Sequence, residues 1–329
     1  MGSDTCPAPD VEGSIQAARD FGETIVLVGD RAAIERELNK YDRTGLAIEV
    51  IHAPQAIDMH DKPSQVSKTK KDSSMMIGMN MVRDGQADAF VTAGNTGAAL
   101  ALATLTTLRR LPGVKRPPLG SLISINGKTI ILLDLGANAD ARPDWLVQFA
   151  IMGSIYSECV VGTTRPRVAI LSNGEEEGKG NELVKETAVL LSQSHLNFIG
   201  NVEPKDMLAA TADVIVADGF VGNIAIKSME ALAETMLDLM RDEINKGLLT
   251  KIGGALVRPA LRRVYKQLDP FEIGGAPLLG VNGVVIIGHG RSNAKAIKNA
   301  IRQARAAVNG KLIDAIRAGM AQYVDTEAV

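Results

Sequence analysis

The feature that most constrains this chain is a repeated one, a short apolar run followed at once by a polar turn rich in glycine and asparagine. Phe90-Val91 leads into Gly94-Asn95-Thr96-Gly97, and Ile130–Leu135 leads into Gly136-Ala137-Asn138. Val168–Leu171 precedes Ser172-Asn173-Gly174 and the further turn Gly178-Lys179-Gly180. Val214–Ala217 precedes Asp218-Gly219-Phe220-Val221-Gly222-Asn223, and Val284–Ile287 precedes Gly288-His289-Gly290-Arg291. Short continuous apolar runs read as strands covered on both faces, and helical patterns follow several of the turns. The chain is therefore expected to be an α/β protein with a largely parallel sheet.

Such turns also carry a chemical expectation. A glycine turn that opens a helix aims backbone N–H groups and the positive end of the helix dipole at one spot, which suits an anion. In open parallel sheets, ligands lie beyond the carboxyl ends of the strands. The recurring turns thus predict a single small-molecule site with an anionic group at its centre.

The remaining chain alternates in the same way. Val11–Phe21 reads as a helix, Thr24–Val28 as a strand, Ile34–Asn39 as a helix and Ala47–Ile51 as a strand. Ser73–Asp84 reads as a helix whose Met75, Met76, Met79 and Met81 fill core. Lys62, Lys68, Lys70 and Lys71 form either a solvated face or a group of cations beside an anion pocket. With 329 residues, 46% of them apolar, a sizeable core is expected, and a net charge of -2 gives no reason to expect nucleic acid. Cys6 and Cys159 are too few for a disulfide framework and lack metal-ligand spacing. No basic and apolar leader opens the chain, so the cytoplasm is the expected compartment. The apolar stretch Ala98–Leu108 is far short of a membrane span.

Three stretches break the rhythm. Leu111–Pro118 reads as a change of sheet direction or a lobe boundary, and Val147–Ile155 as a buried helix. From Ala225 onward no strand follows for some forty residues. Its first part is expected to turn Met229, Leu232, Met236, Leu237 and Met240 inward. Ile244, Leu248, Ile252, Leu256, Ala260, Val264 and Leu268 then recur at every fourth position, with Lys246, Lys251, Arg258, Arg262, Arg263 and Lys266 elsewhere. Gly253-Gly254 weakens this helix, and Pro259 implies two helices or a kink. Two readings stay open: a helical hairpin in the core or a dimer contact, or an interfacial element with its cations on anionic headgroups.

Taken together, the motifs resemble a family. Gly94-Asn95-Thr96-Gly97-Ala98, Asp134-Leu135-Gly136-Ala137-Asn138, Leu146–Ser154, Asn197–Glu203, Ala217–Asn223 and Gly274–Gly280 follow the order of the bacterial phosphate acyltransferases of phospholipid synthesis, the PlsX family. The resemblance runs from the first residues to about Val308. It implies transfer of a fatty acyl group from acyl carrier protein to inorganic phosphate. It also implies a three-layer α/β/α fold like that of isopropylmalate dehydrogenases and phosphate acetyltransferases, and a homodimer. Residues 1–329 would form one domain, with residues 244–268 as an amphipathic hairpin on an anionic membrane surface and the protein peripherally associated with it. The chain departs from the family at Met1-Gly2-Ser3-Asp4-Thr5-Cys6-Pro7, where an apolar strand is expected ahead of the methionine and a histidine in place of Thr5 or Cys6. Arg291 departs from the family's turn as well.

The chemistry can be read beside the resemblance. Phosphate is itself a nucleophile, so attack on a thioester needs no nucleophile from the enzyme. It needs positioning and stabilisation of the oxyanion that develops. Asn95, Thr96, Asn138, Asn173 and Asn223 are neutral donors at strand ends, and Gly94, Gly97, Gly136, Gly219 and Gly290 let backbone approach the ligand. Lys179 and Lys227 are the candidate phosphate cations, and His289 is the candidate acid for the leaving thiolate or a structural histidine. Asp134 and Asp218 are expected to orient backbone donors. The catalytic set is therefore Lys179, Asn223 and His289, with no metal or cofactor required. Two other classes remain: a metal- and nicotinamide-dependent decarboxylating dehydrogenase using Asp134, Asp140 and Asp218, and a non-catalytic membrane-associated partner.

Overall fold

The computed structural model describes residues 1–125 and 127–327, with the side chains of residues 266–268, 270 and 324–327 left aside. The chain opens with α1 (Ala8–Phe21), β1 (Ile25–Gly29), α2 (Arg31–Leu38) and β2 (Ile48–His52). Next come α3 (Pro63–Thr69), α4 (Ser74–Arg83), β3 (Ala89–Thr92) and α5 (Thr96–Ala101). The middle holds β4 (Gly120–Ile125), β5 (Lys128–Leu133), α6 (Pro143–Tyr156), β6 (Arg167–Leu171), α7 (Glu182–Ser192), β7 (Asn197–Val202), α8 (Pro204–Ala209) and β8 (Val214–Val216). The last part holds α9 (Gly219–Asn245), α10 (Leu248–Leu268), β9 (Ala276–Leu278), β10 (Val284–Ile287), α11 (Ala294–Asn309) and α12 (Leu312–Glu327).

Helix starts follow their caps. Asp30, Ser73, Asn95, Asn181, Asp218 and Asn293 each accept backbone N–H donors of the helix they precede, which satisfies groups the helix itself leaves orphaned. The expected helix from Ala98 begins two residues earlier, at Thr96, and passes into a π-helical stretch at Leu102–Thr106.

The strands pair mostly in parallel, as expected, but in three sheets, two of which carry an antiparallel strand at one edge. β6, β8 and β5 are parallel neighbours, with β7 parallel beyond β6 and β4 antiparallel on the other side of β5. β3 and β10 are parallel, and β9 is antiparallel to β10. Among the described residues, one antiparallel bridge, Leu119 to Leu278, joins the two groups. The break at Leu111–Pro118 thus precedes the reversal, and the two parallel groups run in opposite directions.

Alternation along the strands builds cores on both faces. Ile131, Leu133, Val168, Ile170, Val214 and Val216 pack with α6, α11 and α12, where Phe149, Ala150 and Met152 are fully buried. Ile130, Leu132, Ala169, Leu171 and Ile215 face the other way, onto Met207 and Ala210 of the α8 region. The methionines of α4 are core as expected, with Met75, Met76, Met79 and Met81 all buried. A buried Leu, Ile or Met side chain contributes roughly 1.5–3 kcal/mol each to such packing.

β1 and β2 stand apart as a parallel pair. Between β1 and β3 lies a slot of about 350 Å³, walled by Ile25–Val28 of one strand and Ala89–Thr92 of the other. Met1 lies against Gly29 at the end of β1, and Gly2 approaches Gly94 just past β3.

The segment after β8 differs from expectation. α9 is one continuous helix, the break falls at Lys246-Gly247, and α10 runs through Gly253-Gly254 and Pro259. Leu232, Met236 and Met240 are exposed rather than inward, whereas Met229 and Leu237 are half-buried and Met229 packs against the core. Leu248, Ile252, Leu256 and Val264 are exposed as well, while Leu268 and Lys266 fall outside the described side chains. Among the described residues, no helix is long and apolar enough to cross a membrane.

Candidate active site

Register brings the turns together in pairs. Ile287 lies opposite Thr92, so the turn after β10 emerges beside the turn after β3, and the Gly288 N–H donates to the Thr92 carbonyl at 2.7 Å. Leu133 lies opposite Val216, so the Asp134–Asn138 turn emerges beside the start of α9. These two pairs, one from each parallel group, line a single cavity of about 690 Å³.

The Asp134–Asn138 turn is built around a buried carboxylate. Asp134 has no exposed surface, and its Oδ1 accepts the N–H groups of Leu119 at 2.8 Å and Leu135 at 2.7 Å. Its Oδ2 accepts from the Asn138 N–H at 2.6 Å and from Asn138 Nδ2 at 3.0 Å. Burial pushes the carboxyl above its ordinary range, against the hydrogen bonds that favour its charged form. Asn138 Nδ2 also reaches the Pro117 carbonyl, so that side chain braces the turn and lies outside the cavity lining. Gly136, at φ 102°, adopts the left-handed backbone that lets the turn close, and its Cα faces Asn223.

Helix α9 is seated directly on this turn. Asp218 caps it, accepting the N–H groups of Phe220 at 3.0 Å and Val221 at 2.8 Å. A methyl group at Gly219 would lie 2.6 Å from the Asn138 carbonyl oxygen, and one at Gly222 would overlap the Asp134 carbonyl. The glycines therefore allow the close approach that puts Asn223 and Lys227 at the cavity wall.

The other pair contributes Thr96 and Gly97 at the first turn of α5, and His289 from the turn after β10. Asn95 has a different task. Its Oδ1 caps α5 through the Ala98 N–H at 3.0 Å, and its Nδ2 donates to the carbonyls of the 58–61 loop. Gly94 faces the β1–β3 slot, and Gly290 is packed against Asp4 and Met59. Asn173 and Lys179 stand on an exposed loop outside the cavity lining, where the Lys179 stem folds over Gly174. Four of the five expected turns therefore meet at one cavity, and the one after β6 does not.

Sequence reading missed Glu230. It lines the cavity, with Oε1 3.8 Å from His289 Nε2, and Arg291 pairs with Glu234 one helical turn further on at 2.9 Å. The signal was available, because Asn223, Lys227 and Glu230 stand four and three residues apart on one helix face. Away from these polar groups the wall is mostly apolar, formed by Leu122, Ile125, Met229, Leu232, Met236 and Phe271, with Ser121, Ser124 and Asp269 among them. Carboxylates for a catalytic metal are not assembled here. Asp134 and Asp218 are spent on backbone donors, and among the described residues no group of His, Cys, Asp and Glu is placed to hold a metal ion.

A family model described as Fatty acid synthesis protein matches residues 1–314. The Phosphate acyltransferase of Citrifermentans bemidjiense is 47% identical over 319 residues, which is 95% of this chain and 90% of that one. The Phosphate acyltransferase of Dictyoglomus turgidum is 45% identical over 327 residues, 99% of this chain and 97% of that one. Among solved structures, EutD phosphotransacetylase from Staphylococcus aureus superposes with a TM-score of 0.57 at 17% identity, covering 91% of this chain and 92% of that one. A branched-chain phosphotransacylase from Enterococcus faecalis gives 0.54 at 15% identity over 93% and 96% of the two chains. At that identity the two structures establish the fold, while the sequence relatives establish kinship. The chain belongs to the fatty acid synthesis protein family, the phosphate acyltransferases.

Proposed function

We propose that the chain transfers a fatty acyl group from the thioester of an acyl carrier protein to inorganic phosphate. The observation that carries this reading is the division of the cavity, which has a polar end formed by four strand-end turns and a mostly apolar remainder. An acyl chain fits the apolar wall, and its thioester carbonyl then reaches the polar end. A phosphate oxygen attacks the carbonyl carbon, the tetrahedral oxyanion collapses, the carbon–sulfur bond breaks, and the thiolate leaves to be protonated. Acyl phosphate and the free carrier thiol result.

In this reading Lys227 and the α5 N-terminus at Thr96 and Gly97 hold phosphate, Asn223 donates to the oxyanion, and His289 protonates the thiolate. Preorganised donors of this kind contribute on the order of 100-fold or more each. Asp134, Asn138, Asp218, Gly219 and Asn95 act at one remove, by fixing the turns. The test is turnover of acyl carrier protein thioester by the purified protein. Thiol release that requires phosphate, with acyl phosphate as product, is the expected result; thiol release indifferent to phosphate would refute it.

We propose further that α9 and α10 form a hairpin whose exposed apolar side chains serve a second copy of the chain near the cavity and an anionic membrane surface at the tip. Leu248, Leu249, Ile252 and Leu256 are exposed, and Lys251, Arg258, Arg262 and Arg263 are exposed beside them. Each cation near an anionic bilayer contributes roughly 1 kcal/mol. Sedimentation of the purified protein should report a dimer, and anionic vesicles should retain it in a salt-dependent way.

The slot between β1 and β3 belongs to the same proposal. Among the described residues β1 and β3 are each paired on one side only, so an extended apolar segment placed between them would pair with both. A variant carrying such a segment should melt at a higher temperature than the chain that begins at Met1; an unchanged melting temperature would refute this.

A further inference from the structure

A carboxylate in the wall of a cavity built for a dianion needs a reason, since it repels both phosphate and the developing oxyanion. Glu230 is such a group, three-quarters shielded from solvent, and His289 faces it across the cavity at 3.8 Å. His289 in turn has little to hold it. It stands between Gly288 and Gly290, its side chain is 49% exposed, and Glu230 is its ion-pair partner among the described residues. Its backbone is steadied by the Ser292 N–H, which donates to the His289 carbonyl at 2.9 Å, but that bond leaves the ring free to turn.

The surrounding charges leave this pairing undisturbed. On α9, Lys227 precedes Glu230 by one turn, and Glu234 follows by one turn and is taken by Arg291 at 2.9 Å. Asp269, elsewhere on the lining, is taken by Lys295 at 3.1 Å. The His289 imidazole draws the Glu230 carboxyl below its ordinary range; burial opposes this, and Lys227 and Arg291 reinforce it.

We propose that Glu230 is a positioning residue, whose carboxylate holds the His289 imidazole in one orientation toward the thioester. This rests on the acyl-transfer reading for its consequence, though the pairing itself can be tested without turnover. The role explains why the site keeps an unfavourable charge: a general acid contributes only when its proton lies within hydrogen-bond reach of the leaving atom.

Two measurements test it. In the first, Glu230→Ala, Glu230→Gln, His289→Ala and the double variant Glu230→Ala with His289→Ala are compared for kcat and for KM toward phosphate. Misplacement of a catalytic group costs up to about 100-fold. Glu230→Ala should lower kcat by at least about 10-fold, with KM for phosphate unchanged or lower because a repulsive charge is gone. Glu230→Gln, which keeps an acceptor in the same place, should restore much of the loss. In the His289→Ala background, Glu230→Ala should cost nothing further. An unchanged kcat in Glu230→Ala, or an equal loss with and without His289, would overturn the proposal.

The second measurement follows the imidazole nitrogen resonances of the folded protein without substrate, with His289 assigned from His289→Ala. Glu230→Ala should move the His289 signals and leave the other histidines in place. Signals that do not move would overturn the proposal even if the protein transfers acyl groups. Signals that move in a protein without acyl transfer would uphold the pairing and sink the functional reading instead.

Discussion

The root of α9 and the outer face of α10 are both made from small and apolar residues, yet they are packed in opposite ways. At Gly219 and Gly222 there is no room for one methyl group, because the Asp134–Asn138 turn lies directly beneath. At Leu248, Leu249 and Leu256, 77%, 84% and 78% of the residue surface is open. A continuous chain of two helices therefore runs from the tightest backbone contact at the site to the most exposed apolar surface of the molecule. The first region is satisfied within the chain, by hydrogen bonds and close packing. Among the described residues nothing covers the second, which is the ground for the interaction surface proposed above.

Five substitutions can break or sharpen this contrast. The largest effect should come from Gly222→Ala, whose methyl group meets the Asp134 carbonyl and has only backbone to displace. Overpacking of this kind costs about 1–3 kcal/mol, and it should move α9 off the turn, so turnover should fall by about 100-fold or more. A Gly222→Ala protein with wild-type melting temperature and kcat would show that the root is looser than its geometry.

Next comes Lys227→Ala. The side chain is exposed, so stability should stay within about 0.5 kcal/mol, while turnover should fall by roughly 100-fold. Lys179→Ala is the companion measurement. Its loop lies outside the cavity lining, so its loss should be well below that of Lys227→Ala. Equal losses would bring the loop after β6 into the site.

Leu256→Glu probes the outer face. Removing one apolar side chain from lipid forfeits about 1.5–3 kcal/mol, so binding to anionic vesicles should weaken by about 10- to 100-fold with the melting temperature unchanged. A variant that unfolds would return this face to a packed interface, and one that binds vesicles as tightly as wild type would remove the membrane contact.

The smallest effect belongs to Arg291→Ala. Its pair with Glu234 joins the turn after β10 to α9, but both side chains are more than half exposed, at 52% and 59%. Exposed pairs contribute about 0–1 kcal/mol, so thermal unfolding should scarcely change. A shift of several degrees would mean that this pair, rather than the glycine contact, seats α9 against its neighbour.

The sequence by itself determined the elements and their chemistry. Apolar runs such as Val168–Leu171 are strands because continuous burial demands them, and asparagine and aspartate after such runs cap helices because they satisfy orphaned N–H groups. The family motifs lie in these local patterns, which is why the family was legible before any coordinate. Tertiary structure alone decided which turns share a cavity. Strand direction rests on pairing between distant segments, and the Leu119–Leu278 bridge that reverses it has no local signature. For the same reason Lys179 and Lys227 look equivalent along the chain but not in space, and Asn95 and Asn138 look like ligand donors until their acceptors appear. Glu230 acquires a partner only because β10 ends beside α9, and Met236 and Met240 of α9 stay exposed while Met229, lower on the same helix, packs against the core.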